Sequence, residues 1–262
     1  MEQPPPIPDT PVIKAPSPPR TSLAARLLNV FASPGDVFEE VKTSRPSVAN
    51  WLMPAVIGSL VGILSVIVVF SQPLFQQKLR EKQEQAMEQQ VKAGKMTRQQ
   101  ADQAMAMVEK FSGPAMMKLF GSIGVVVTSF VRLFWWGFIM WLLGRWFLKI
   151  RFEYIKAVEV AGLSSMIAVL GTIVSLLLIV NLGKMFSSLS LSLAVSDFNP
   201  ENKNHLLLGT INVFNFWHLG VMSSGLARLT GVPFIRTLSL MLACWVLLVL
   251  LLVSSGMGTF LL

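Results

Sequence analysis

The chain has 262 residues, of which 53% are apolar and only 14% charged, with a net charge of +8. Soluble domains carry about a quarter charged residues, so this deficit points to lipid. The positive charges sit between long apolar runs, which suits headgroup anchoring rather than nucleic-acid binding, and the single cysteine, Cys244, excludes a disulfide framework or thiolate metal site within one chain.

Residues 1–20 hold eight prolines and almost nothing to bury, which reads as a disordered, partly polyproline-II tail. The first 50 residues contain no apolar core suited to a cleavable signal, so the first span is expected to insert and remain. Residues 21–50 read as an amphipathic cytoplasmic segment of two short helices. Leu23, Leu27, Val30 and Phe31 share one helical face, with Arg26 off it. Ser33, Pro34, Asp36 and Glu39 then supply helix-start signals.

The membrane domain is expected over 51–262. Its first span runs over 52–71, behind Trp51, with Gly58 and Gly62 spaced for close helix approach. Residues 74–112 turn polar and read as a helical hairpin. Gly94 stops its first helix, and Thr97 with Gln100 forms a capping box for the second. Ala101, Ala104, Met105, Val108 and Phe111 give that second helix an apolar stripe, expected to pack on its sister. Four more spans follow at about 118–147, 158–181, 205–227 and 237–255.

The expected fold is therefore all-α: a polytopic membrane protein with five transmembrane helices, N-terminal amphipathic helices, and a hairpin between spans one and two. The short turns after the second and fourth spans carry six Lys and Arg residues, against two in the 182–204 connector. Short connections weigh most in setting topology, which places the N-terminus in the cytoplasm and the C-terminus outside.

Two spans hold buried-looking polar residues. Arg132 interrupts the second near its middle, where an arginine costs at least ~2.5 kcal/mol against lipid and should face protein or water. Asn212, Asn215 and His218 share one face of the fourth, within an arc of about 120°. These four form a candidate intramembrane polar cluster. It reads either as an interhelical hydrogen-bond seam or as a cavity for a solute, ion or lipid headgroup with Arg132 facing the anion. The expectation is that the Asn/His face meets Arg132 at mid-membrane and that the contact is mainly structural. One histidine with two amides is a poor metal set. Glu153 and Glu159 lie close to Lys156 and read as a solvated or snorkelling ion pair. Phosphate-binding glycine loops, nucleophile elbows and zinc-protease helices are absent, so neither enzyme chemistry nor a cofactor is expected.

Three segments together resemble one family. FASPGDVFEEV before a proline-led span, FEYIKAVEVAGLSSMIAVLGTIV, and NVFNFWHLGVMSSGLARLTGVPFIRT are similar to the bacterial form of the five-span Yip1 family. Phe214 and Trp217 match the family's aromatic pair, Gly225, Leu226 and Ala227 match its later triplet, and Asn212 stands where an Asp is usual. The eukaryotic members' Asp-Leu-Tyr-Gly-Pro signature is absent, so their link to Rab-type GTPases is not carried over. The resemblance implies a non-enzymatic membrane-organising or partner-binding scaffold in a bacterial-type cytoplasmic membrane. Its partners would be the bilayer, membrane proteins and possible further copies of itself, without nucleic acid. A small transporter or channel component built on Arg132 and the Asn/His face is the alternative.

Overall fold

The computed structural model describes residues 21–183, 187–196 and 198–258, for 109–112 by backbone alone. The proline-rich 1–20 and the side chain of Phe111 lie outside the described residues.

Two short helices open the described chain: α1 (Leu23–Ala32), capped by the Ser22 hydroxyl, and α2 (Pro34–Thr43). Val30, Val37, Phe38 and Val41 turn inward and join the main core. Arg26 turns inward with them, in contrast to the sequence expectation, because it finds acceptors there (below). The first long apolar helix is α3 (Ala49–Ser71). The polar α4 (Pro73–Lys92) and α5 (Arg98–Ser112) follow, joined by a turn in which Gly94 has a φ of 67° and Thr97 and Gln100 form the capping box. No side chain of α4 is buried, so its packing on α5 is loose.

Next come α6 (Pro114–Leu142), continued by a π-turn over Leu143–Phe147, and α7 (Tyr154–Leu182). Glycines set how closely these helices pack. A Cβ on Gly162 of α7 would lie 2.4 Å from the Trp51 Cα, so only hydrogen fits there. Gly58 meets Val169, Gly62 meets Val125 and Gly137 meets Val158. These pairs make α3 and α7 parallel, with α6 antiparallel to both.

The expected fourth span, 205–227, is not one helix. It is divided into α8 (Lys203–Thr210) and α9 (Val213–Thr230), with Ile211 and Asn212 outside helical geometry. Local hydrogen bonding explains the break: Asn212 Oδ1 accepts from the Phe214 N–H at 2.8 Å and caps α9. Asn215 Nδ2 donates to the Thr210 carbonyl at 3.1 Å. The connector supplies the rest, since Leu191 N–H donates to Ile211 O and Val213 N–H to Leu189 O. A backbone break inside a membrane bundle requires such partners.

The last helix, α10 (Phe234–Ser254), runs back along α9, with Trp245 against Phe216 and the Thr237 hydroxyl donating to Ser223 O at 2.9 Å. Among the described residues four helices are long and apolar enough to cross a membrane: α3, α6 with its π-turn, α7 and α10. The protein is thus an all-helical integral membrane protein. The shorter α9 lies antiparallel to α7, with Gly171 under Phe214 and Gly225 under Val160.

Candidate functional site

Charge is handled in two places. The first lies where α1 and α2 meet the starts of α3 and α7. Glu159 is fully buried, and its Oε1 accepts from Asn50 Nδ2 at 2.8 Å and from the Ser47 N–H at 2.7 Å. Its Oε2 lies 3.1 Å from Lys156 Nζ. Lys156 also donates to the Val41 and Ser44 carbonyls at 2.6 and 2.7 Å. Asn50 Oδ1 accepts from Arg26 Nη1 at 3.1 Å, and Arg26 Nη2 pairs with Glu40 at 2.6 Å. Thr21 donates to Glu40 from both its N–H and its hydroxyl.

This chain of contacts ties four helices together. It corrects the expectation for Glu159: the pair with Lys156 is neither solvated nor snorkelling. The reason is that α2 ends directly over Lys156, so its last carbonyls do the work of water. Burial would raise the Glu40 carboxyl, but Arg26 and Thr21 outweigh that effect and hold it below its ordinary value.

The second place is a groove between α3, α6 and α7, with a cavity of about 300 Å³. Arg132 and His218 both line it. Arg132 is exposed, and its guanidinium has no hydrogen bond or ion pair among the described residues. His218 Nε2 is buried there without a hydrogen-bond partner. The Trp51 ring meets that of Phe134 at a tilt and Gly62 packs on Val125, so antiparallel register sets Arg132 beside Pro54. That point is ~8 Å along α3 from Ala49. Arg132 therefore faces the part of α3 nearer α1 and α2.

Of the four candidate residues, the structure brings Arg132 and His218 to one groove. Asn212 and Asn215 direct their hydrogen bonds to the α8–α9 break. The remaining residues singled out along α9 pack. Phe214 lies on Gly171 and stacks on Trp217 at 6.2 Å, and Trp217 meets Phe31 edge-on at 6.0 Å. Gly225 accommodates Val160 and Phe38, Leu226 is fully buried, and the Ala227 carbonyl accepts from the Gly231 N–H that ends the helix.

Four of the five hydroxyls that line the groove already use their donors, and the fifth, on Thr128, has no hydrogen bond among the described residues. Ser65, Ser129, Ser165 and Thr172 each donate to a carbonyl of their own helix, leaving oxygen lone pairs free to accept. Arg132 supplies donors only. Such a lining can bind an anion and position further donors around it. Among the described residues no three His, Cys, Asp or Glu side chains group to hold a metal.

A family model described as the Yip1 domain matches residues 28–256. Neither the curated proteins nor the solved structures contain a match.

Proposed function

The chain belongs to the Yip1 domain family, and from that premise we propose a non-enzymatic, five-crossing membrane protein that organises its bilayer by holding an acidic group in the Arg132 groove. The carrying observation is Arg132 itself, a fixed positive charge within a membrane-spanning helix with no counter-charge among the described residues. An arginine without a counter-charge inside a membrane-spanning helix costs free energy, and an acid brought to the groove from outside the chain offsets that cost.

Alternating helix directions support the five crossings: α3, α7 and α10 run one way, α6 and α9 the other. At ~1.5 Å per residue the 18 residues of α9 reach about 27 Å, and α8 extends that line beside Val249 and Val253. With the N-terminus in the cytoplasm, the α1–α2 layer and Arg132 lie toward the cytoplasmic face, and the α4–α5 pair projects on the other side.

Native mass spectrometry of the protein released from its own membrane in mild detergent tests this reading. Wild type is expected to retain an acidic adduct that Arg132→Leu lacks. A wild type free of adducts contradicts it. Solute flux in reconstituted vesicles that depends on Arg132 would instead make the protein a transporter.

A further inference from the structure

Resting on the reading of the groove as an acid-holding site, we infer that its ligand is the head of an anionic phosphodiester lipid bearing free hydroxyls. Arg132 takes the phosphate, and the oxygens of Ser129 and Ser165 accept from the lipid's hydroxyls.

Charge comes first. Arg132 is the one charged side chain among the groove's lining residues, and no carboxylate accompanies it. A ligand of net charge −1 neutralises it, whereas a zwitterion leaves a net positive charge in a low-dielectric place. A guanidinium also presents paired N–H donors that match two phosphate oxygens.

Hydrogen-bond polarity comes second. Ser129 lies three residues before Arg132 on α6, hence on the same face. Ser165 stands across the groove at the same level, because the pairs Trp51–Gly162 and Gly58–Val169 put it beside Pro54. Both hydroxyl protons are committed, to Val125 O at 2.8 Å and Gly162 O at 2.6 Å. What these oxygens lack is a donor from outside. A headgroup with free hydroxyls supplies it, and one capped with methyl groups does not.

Shape comes third. Along α3 the groove runs from Pro54 to Val66, roughly 18 Å at 1.5 Å per residue, past Gly58, Gly62, Val125 and Val169. That apolar length suits an acyl chain lying along the bundle beneath a head held at Arg132. The soluble phosphodiester glycerophosphoglycerol shares the head chemistry but lacks this chain.

The test uses full-length protein, delipidated in detergent, and reads the thermal shift on adding phosphatidylglycerol, phosphatidylmethanol, phosphatidylcholine or soluble glycerophosphoglycerol. Phosphatidylglycerol is expected to raise the midpoint by at least ~3 °C, phosphatidylmethanol by less, and phosphatidylcholine hardly at all. Arg132→Leu abolishes the shift, while Ser165→Ala levels phosphatidylglycerol with phosphatidylmethanol but keeps both above phosphatidylcholine. Glycerophosphoglycerol matching the lipid supports the same head chemistry from a soluble source and overturns the role of the acyl chain. Equal shifts from phosphatidylglycerol and phosphatidylmethanol in wild type overturn the role of the hydroxyls. A shift that survives Arg132→Leu overturns the site. Failure of every phosphate probe while the Arg132-dependent native adduct persists overturns this inference alone, and loss of that adduct overturns the broader reading with it.

Discussion

Under α1 and α2, Lys156 and Glu159 share their charges with each other, with Asn50 and with the backbone at the end of α2. A short way along the same bundle, Arg132 faces a groove that offers hydroxyl oxygens and no carboxylate. Both regions place charge inside a mostly apolar molecule, yet one is closed on itself and the other is open. The difference teaches how to separate holding a fold from holding a ligand. Where each charge has a partner from the chain, removing one strands the others. Where a charge has none, removing it costs the fold little and the ligand everything.

The closed region breaks most readily at Glu159. Glu159→Ala leaves the Lys156 ammonium buried without its carboxylate and takes an acceptor from Asn50 and Ser47. The expected loss is ~3–5 kcal/mol, read by denaturant unfolding in detergent. A variant as stable as wild type would mean the network is ornamental. Packing around the network comes next. Gly162→Ala drives a Cβ to within 2.4 Å of the Trp51 Cα. Separating α3 from α7 should cost ~1–3 kcal/mol in the same assay.

Asn212→Ala removes the cap of α9 and should cost about 1 kcal/mol while leaving any ligand shift at Arg132 in place. A lost ligand shift would return Asn212 to the polar cluster. The smallest effect concerns pH. Glu40 titrates lower in the folded state than unfolded, so its contribution is full above about 4.5 and is lost as pH falls through its folded value. Glu40→Gln should flatten the stability profile below that point and leave its shape above it unchanged. An unchanged acid limb would remove Glu40 from the account.

Much of this architecture was legible in the residues. Long apolar runs mark α3, α6, α7 and α10, because a run of that length has few soluble alternatives. The turn before α5 was written in Thr97 and Gln100. The break at Ile211–Asn212 was not, since an average over an apolar window passes over a single asparagine that caps a new helix. The charged network escaped for another reason. Arg26, Glu40, Asn50, Lys156 and Glu159 come from four helices, and each alone looks like an interfacial polar residue. Only the packing of α2 over the start of α7 turns them into a unit. The groove was half legible: Arg132 and His218 stand out within apolar spans, but their sharing one groove depends on helix register that spacing alone does not fix.

The contrast between the regions rests on Arg132 being free of structural duty. The most direct test is the unfolding midpoint of Arg132→Leu beside wild type, both in lipid-free detergent. The account predicts midpoints within about 2 °C of each other, the small change expected of a side chain without structural partners. A fall as large as that of Glu159→Ala would contradict it, because Arg132 would then hold the fold as Glu159 does.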